Sequence, residues 1–459
     1  MQNSTIVALA TPRGSGALAI IRLSGTETFS IIHNIFSNNE KEFKHQRIYF
    51  GNINDEEVLI DEVLISFFMA PRSFTGENTA EISCHASPFI IDQILKLCVK
   101  HGATYATPGE FSMRAFLNGK IDLTQAEAIA DVIASENKAS HEISMNQLRG
   151  GVSHQLQDLR EQLINFTALI ELELDFSEED VEFVNRADLL QHINKVQQKT
   201  LALMNTYQYG NAVKNGIPTA IVGQPNAGKS SWMNALMQED IAIVSDIAGT
   251  TRDKIETELN INGIVFRFID TAGIRKTEDT IEKIGVKKAF EAIEKAQLII
   301  LVFDVTQTNF QDFENQYQEI LDRNSKAQIV IVANKSDLIK EGFPSLERTF
   351  SVFHNLHFLS AHQIDDVGIL KTTLHTTFEK HFKPNEEQVI IHNQRHYESL
   401  QLLNQALSDV VYGINSGLTG DLLSHHLREA LQHLGNITGN IEVDRDILGT
   451  IFGKFCIGK

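Results

Sequence analysis

Long apolar runs are missing from this chain. The longest, such as Leu298-Ile-Ile-Leu-Val-Phe303, fall far short of the roughly 20 residues a helix needs to cross a bilayer. The amino terminus carries no apolar leader, so neither membrane insertion nor export is expected. Cysteine is scarce: Cys84, Cys98 and Cys456 form an odd number without metal spacing. That excludes a disulfide framework or a zinc ribbon and points to a reducing, cytoplasmic compartment. Positive charge is also short, with 40 Lys and Arg against 59 Asp and Glu, a net charge of −19. Broad, sequence-blind binding to nucleic acid depends on neutralising phosphates. Any RNA contact must therefore be confined to a local basic pocket or supplied by a partner. No internal repeat or low-complexity tract is present. An apolar share of 42% with 22% charged residues is that of an ordinary soluble protein, and 459 residues suffice for two or three domains with cores.

What is present is a phosphate-binding signature. Ala220-Ile-Val-Gly-Gln-Pro-Asn-Ala-Gly-Lys-Ser-Ser231 reads as an apolar strand, a glycine loop and the start of a helix. In the spacing Gly223-x4-Gly228-Lys229-Ser230, backbone N–H groups turn toward a polyphosphate, and the helix N-terminus adds donors and a favourable dipole. Lys229 can reach the outer phosphates, and the Ser230 hydroxyl can hold magnesium. A plain glycine turn is the bland alternative, and three ordered matches downstream weigh against it. Asp270-Thr-Ala-Gly273 follows the alternation Ile264 to Ile269, where a strand would deliver a carboxylate toward the metal and a glycine N–H toward the terminal phosphate. Asn334-Lys-Ser-Asp337 follows the buried-strand run Ile329 to Ala333. Asp337 can accept hydrogen bonds from the ring N–H and exocyclic amine of guanine, whereas adenine would leave this acid poorly paired. Ser360-Ala361 is a weaker match for the loop that backs the base. The ordered set predicts GTP binding.

The organisation around this segment is tripartite. Residues 1–119 read as an α+β unit, with strands at Thr5–Ala10, Ala17–Leu23, Arg47–Phe50 and Val58–Met69 and helices at Thr26–Phe36 and Pro88–Lys100. From 120 to 214 the pattern is helical: Thr124-Gln-Ala-Glu127 has capping-box spacing, and Leu156, Leu159, Leu163, Phe166 and Ile170 recur at steps of three and four. The acidic run Glu178 to Glu182 reads as a solvated inter-helix loop. A P-loop α/β domain of Ras-like type is expected over 215–379, and helical periodicity resumes over 380–459 (Leu400, Leu403, Leu407, Val411). A helical layer interrupted by a nucleotide domain suggests insertion, with the flanking helices packing together.

Two features bear on hydrolysis. Many small GTPases place a water-orienting glutamine just after the Asp-x-x-Gly motif. Here that position is Ile274, so either turnover is slow or another group acts, with Glu278, Asp279 and Glu282 nearby. Charge on the β–γ bridge must also be stabilised, often by an arginine finger. The loop offers Asn226 instead, with the polar segment Ser245-Asp-Ile-Ala-Gly-Thr-Thr251; their oxygens could cage a monovalent cation. Thr251, or less readily Thr250, would close on magnesium. The alternative, that Asn226 only braces the loop, stays open. Predicted nucleotide contacts are therefore Asn226, Ala227, Gly228, Lys229, Ser230 and Ser231; Ser245, Asp246, Ile247, Ala248, Gly249, Thr250 and Thr251; Asp270, Thr271, Ala272 and Gly273; and Asn334, Lys335, Asp337, Ser360 and Ala361. Ser230 and Thr251 are the magnesium candidates.

Phe455-Cys-Ile-Gly-Lys459, Asn226 and Asp246-Ile-Ala-Gly-Thr-Thr-Arg-Asp253 together resemble the MnmE (TrmE) family of tRNA modification GTPases. So do Ser73-Phe-Thr-Gly-Glu77, Pro108-Gly-Glu-Phe-Ser112 and Arg114-Ala-Phe-Leu-Asn118, and the likeness runs end to end. The resemblance implies an amino-terminal folate-binding domain that pairs into a homodimer, a split helical domain and an inserted GTPase domain. It implies potassium held by Asn226, Ser245, Ile247 and Thr250, and water positioned by Glu282. It places a tetrahydrofolate derivative (5-formyl or methylene) on Arg22, Glu81, Lys120 and Lys459. It further implies a flavoprotein partner carrying FAD (MnmG, or GidA) in a heterotetramer, and installation of an aminomethyl-type or carboxymethylaminomethyl group on carbon 5 of the tRNA wobble uridine. Cys456 lies in the tail signature and is a candidate thiol nucleophile, with a packed thiol as the alternative.

The chain departs from the family pattern at His85-Ala-Ser-Pro88, where His-Gly-Gly-Pro is common, and at Ser245, where threonine is common. Two other classes remain for comparison: a cation-dependent GTPase on ribosomal RNA, and a passive GTP-binding scaffold. The folate-domain blocks and the Cys-Ile-Gly-Lys terminus argue against the first, and the second predicts negligible turnover.

Overall fold

The computed structural model describes residues 4–38, 42–175, 186–238, 257–269, 282–339, 348–384, 388–439 and 458, with the backbone alone for 174–175 and 282–288. The chain divides into two compact units. One comprises Met1–Ala134, Ser144–Asn194 and Leu402–Lys459; the other comprises Ser135–Ile143 and Lys195–Gln401. Among the described residues no helix is long and apolar enough to cross a membrane.

In the first unit, alternating branched and polar residues build one seven-stranded sheet. Its strands are β1 (Ile6–Leu9), β2 (Leu18–Ser24), β3 (Phe36–Ser37), β4 (Arg47–Asp55), β5 (Val58–Phe68), β6 (Thr79–His85) and β7 (Thr104–Tyr105), in the order β3-β4-β5-β6-β2-β1-β7. Central strand β6 has no counterpart in the sequence reading. Its Ala80, Ile82 and Cys84 are buried, but two of the three are too small to make the period-2 pattern stand out. Helices Thr28–Ile35 and Pro88–Lys100 cover one face, where Ile32, Ile94 and Leu97 join Ile21, Ile65, Phe67 and Ile82 in a single core. The other face keeps apolar side chains in the open: Ile48 and Phe50 are each 65% exposed and Leu64 46%. Phe50 and Leu64 are paired directly across β4 and β5.

The helical segments of this unit follow. Helix Gly420–Thr438 packs along Gly151–Asp175, where Glu171 accepts from Arg428 Nε at 2.8 Å and from Ser424 Oγ at 3.2 Å. Residues on either side of the nucleotide segment thus meet, as insertion requires. The capping box lies two residues earlier than expected. Helix Leu123–Ala134 is capped by Asp122 and Gln125, whose side chains each accept the other's backbone N–H, at 2.9 and 3.0 Å. Thr124, already inside the helix, donates its hydroxyl to Asp122 Oδ1 at 2.7 Å. The carboxylate displaces the hydroxyl as cap because it accepts charge-assisted bonds from both groups at once.

The second unit holds a six-stranded sheet: β8 (Ile217–Val222), β9 (Thr257–Ile261), β10 (Ile264–Phe268), β11 (Leu298–Asp304), β12 (Gln328–Asn334) and β13 (Leu356–Phe358), in the order β13-β12-β11-β8-β10-β9. All pairs are parallel except β9 with β10. Strand β11 is buried along its whole length, the mark of a sheet covered on both faces. Its Ile300 and Val302 face a core with Trp232, Leu236, Leu370 and Phe378, whereas Ile299, Leu301 and Phe303 face one with Ile293, Phe313 and Ile320. This is the doubly wound α/β arrangement, and the phosphate loop lies at the carboxyl end of β8, between the strands that turn in opposite directions.

Asp122→Ala is expected to cost about 1 kcal/mol, since it removes the cap of its helix. A fall in the urea midpoint of the unit that contains it checks this.

Candidate functional site

The loop after β8 is shaped by backbone constraints before any ligand is considered. Gly223 (φ 149°) passes so close to β11 that a Cβ would collide with the Val302 carbonyl oxygen. Gly228 (φ 98°) approaches Asn334 so that a Cβ would collide with its Nδ2. Asn226 lies at φ 63°, in the left-handed region that asparagine enters more readily than most side chains. Lys229 Nζ curls back to donate to the carbonyls of Gly223 at 2.8 Å and Gln224 at 2.7 Å. Burial lowers its pKa, because the ammonium is desolvated there, and an anion placed beside it would offset that cost. Ser230 and Ser231 are exposed in the first turn of helix Lys229–Gln238. The Trp232 backbone N–H donates to the Gly228 carbonyl at 3.0 Å while the indole is fully buried.

Asn334 holds the cleft together. Its Nδ2 donates to the Ala227 carbonyl at 2.8 Å, its Oδ1 accepts from Ala361 N–H at 3.3 Å, and the residue is buried. One carboxamide thereby ties the phosphate loop, the end of β12 and the Ser360-Ala361 loop. Ser360 N–H donates to Asp366 Oδ2 at 2.7 Å, and Ser360 Oγ accepts from His362 N–H at 3.3 Å. Asp337 is exposed in the short 3-10 turn Ser336–Leu338 just beyond. Lys335, at φ 64°, reaches Asp304 Oδ2 at 2.6 Å. Burial alone would raise the Asp304 pKa, but hydrogen bonds from Lys335 and from the Thr306 hydroxyl and N–H outweigh it and hold the carboxyl below its ordinary 3.8. Asp304 was not read from the sequence. The available signal was its place at the end of β11, in register with Asn334.

In the other unit, Arg22 on β2 stands directly opposite Glu81 on β6. Its Nε and Nη2 both bond Glu81 Oε1, at 2.9 and 2.8 Å. Its Nη1 donates to the carbonyl of Gly458 at 3.4 Å, and Gly458 (φ 97°) lies against β1, where a Cβ would collide with the Leu9 carbonyl oxygen. Phe74 and Phe111 place their ring centroids 5.8 and 5.7 Å from the Arg22 guanidinium. Lys120 Nζ donates to the Pro71 carbonyl at 3.0 Å. The His85-Ala-Ser-Pro88 turn needs no glycine: Ser87 is extended (φ −96°, ψ 129°), and Pro88 opens the next helix. Cys84 and Cys98 are poor nucleophiles, because burial pushes their pKa values up to about 11 and about 12, with Asp61 adding to the rise at Cys84.

Residues 5–120 match the family model described as GTP-binding protein TrmE N-terminus, and residues 123–456 match that of the MnmE helical domain. The chain belongs to the MnmE family of tRNA modification GTPases. A relative in Cytophaga hutchinsonii named tRNA modification GTPase MnmE is 47% identical over 457 residues, 99% of this chain and 98% of that one. One of the same name in Flavobacterium johnsoniae is 46% identical over 467 residues, covering both chains completely (100% of each). The solved structure of Aquifex aeolicus Era bound to GDP.AlF4- covers 41% of this chain and 65% of its own at 26% identity. Its TM-score is 0.27, too low to bear on the fold.

Ser245, Asp246, Ile247, Ala248, Gly249, Thr250, Thr251, Asp270, Thr271, Ala272, Gly273, Ile274, Glu278, Asp279, Cys456 and Lys459 lie outside the described residues. Glu282 opens helix Glu282–Lys295, of which the first turns are described by backbone alone.

The Asp304–Lys335 pair predicts a pH dependence. Because the folded pKa of Asp304 is depressed, its stabilisation is complete above the ordinary carboxylate range and is lost as pH falls through the lower folded value. Asp304→Asn is expected to cost about 2 kcal/mol at neutral pH, less than a fully buried pair because the Lys335 side chain is 32% exposed. The gap from wild type should close on acidification when thermal midpoints are compared by circular dichroism.

Proposed function

We propose that this GTPase couples potassium-stimulated hydrolysis of GTP to folate-dependent modification of tRNA. The observation that carries the nucleotide half is the Asn334 link between phosphate loop and base loop. It fixes the spacing between the anion cradle and Asp337, the carboxylate that would read guanine. Asn226, Ala227, Gly228, Lys229, Ser230 and Ser231 would hold the phosphates, with magnesium on Ser230 and Thr251. Potassium would take oxygens from Asn226, Ser245, Ile247 and Thr250, an all-oxygen donor set suited to a hard cation. It would supply the positive charge that an arginine finger gives elsewhere, and Glu282 would orient the attacking water.

The second half rests on Arg22 and Glu81. Both bonds from Arg22 fall on Glu81 Oε1, which leaves Oε2 to pair with the amide and amine edge of a pterin. Lys120 and Lys459 would meet the glutamate tail of a tetrahydrofolate (5-formyl or methylene), which when bound supplies the one-carbon unit. The exposed apolar face of Ile48, Phe50 and Leu64 supports a homodimer formed through this unit. The reading assigns 1–119 to folate binding and dimerisation, 120–214 and 380–459 to one split helical domain, and 215–379 to GTP hydrolysis. A flavoprotein partner (MnmG) with FAD would complete a heterotetramer that installs an aminomethyl-type or carboxymethylaminomethyl group on carbon 5 of the wobble uridine. The cytoplasm, where tRNA, GTP and reduced folates meet, is the proposed compartment. Mass spectrometry of wobble nucleosides from cells lacking the protein tests the whole: unmodified uridine supports it, and unchanged nucleosides refute it.

Hydrolysis is expected to be much faster in potassium than in sodium at equal ionic strength. Asn226→Gly separates the two readings of that residue, since glycine accepts φ 63° without strain but offers no side-chain oxygen. It should abolish the potassium stimulation in a phosphate-release assay; a bracing role alone would leave the stimulation intact. Glu282→Ala should retain GTP affinity and lose turnover by about 100-fold, measured by nucleotide titration beside single-turnover hydrolysis.

A further inference from the structure

A buried cation of the first unit has no part in the reading above. Arg114, 6% exposed, lies in helix Glu110–Leu117. Its Nη1 donates to both carboxylate oxygens of Glu77, each at 3.2 Å, and its Nη2 donates to Glu110 Oε1 at 2.9 Å. Ser24 Oγ donates to Glu77 Oε2 at 2.6 Å and shares a hydrogen bond with Thr75 Oγ1 at 2.7 Å. Such a cluster gains little stability over well-packed apolar side chains, because desolvating the charges offsets their attraction. What it can give is one fixed geometry.

That geometry belongs to the loop from Pro71 to Glu77. Asn118 Nδ2 donates to the Thr75 carbonyl at 2.7 Å, and Lys120 Nζ donates to the Pro71 carbonyl at 3.0 Å. Gly76, at φ 79°, lies where a Cβ would be 3.2 Å from Asn118 Cβ and 3.3 Å from Lys120 Cγ. Phe74, at the middle of the loop, faces the Arg22 guanidinium. One end of the loop thus meets Lys120, its middle meets Arg22, and its far end is pinned by the Arg114–Glu77 fork.

We infer that Arg114, acting through Glu77, is a positioning residue for the centre of Arg22, Glu81 and Lys120. It fixes the loop so that the cation for a glutamate tail and the carboxylate for a pterin stand at one spacing. This inference rests on the pterin reading under Proposed function.

The test is calorimetric titration of the full chain with 5-formyltetrahydrofolate, as wild type and as Arg22→Gln, Arg114→Lys and Glu77→Gln. Arg114→Lys keeps the charge and loses the fork, and Glu77→Gln keeps the shape and loses the charge. Both are expected to bind at least about 10-fold more weakly while circular dichroism at the titration temperature stays that of the folded chain, even though loss of a buried partner lowers the thermal midpoint. Arg22→Gln should bind undetectably. No binding by wild type, or undiminished binding by Arg22→Gln, overturns the pterin reading itself. Loss in Arg22→Gln alongside wild-type affinity in a folded Arg114→Lys or Glu77→Gln overturns the positioning role alone. Failure of both these variants to fold also overturns it, because the cluster would then serve stability rather than spacing.

Discussion

A single carboxamide, that of Asn334, keeps the nucleotide cleft in one piece. In the proposed function, phosphate recognition and base recognition are separate chemistries on loops joined through Ala227 and Asn334, which lie 107 residues apart in sequence. They can act on one molecule only if their separation is fixed to within a fraction of an ångström. A buried side chain with both a donor and an acceptor meets that need: one end holds the Ala227 carbonyl and the other the Ala361 N–H. Breaking either bond would strand a polar group away from water, which is why the link is stiff. The Asp304–Lys335 pair braces the same loop from the neighbouring strand.

The other unit uses charge in the same way. In a chain of net charge −19, the cations Arg22 and Arg114 are matched with carboxylates on short contacts rather than spread over a basic surface. That pattern suits recognition of one small anionic ligand and does not suit wrapping of a polynucleotide. Family membership therefore sits easily with the acidic composition, as these cations are held in local carboxylate pairs rather than in a broad basic surface.

Much of this was legible in the sequence where backbone geometry dictates residue type. Gly223 and Gly228 are glycines because no Cβ fits, and the five apolar residues before Asn334 declare a strand buried on both sides. Other features were hidden for physical reasons. Strand β6 is built from small residues whose alternation is faint. The helix cap moved from Thr124 to Asp122 because local spacing cannot rank a hydroxyl against a carboxylate two residues away. Asp304 and Arg114 act through partners brought near by register and packing, which a linear reading does not contain. At the His85-Ala-Ser-Pro88 departure the backbone itself asks for no glycine, since Ser87 is extended ahead of Pro88.

The lone tryptophan gives this architecture an unplanned convenience. Trp232 is fully buried in the nucleotide unit, one helical turn from the phosphate loop, and no other indole exists in the chain. Its emission therefore reports the melting of that unit alone, whereas peptide absorbance sums over both. A chain of two compact bodies thus carries a built-in optical label that lets their denaturation be told apart without any added dye.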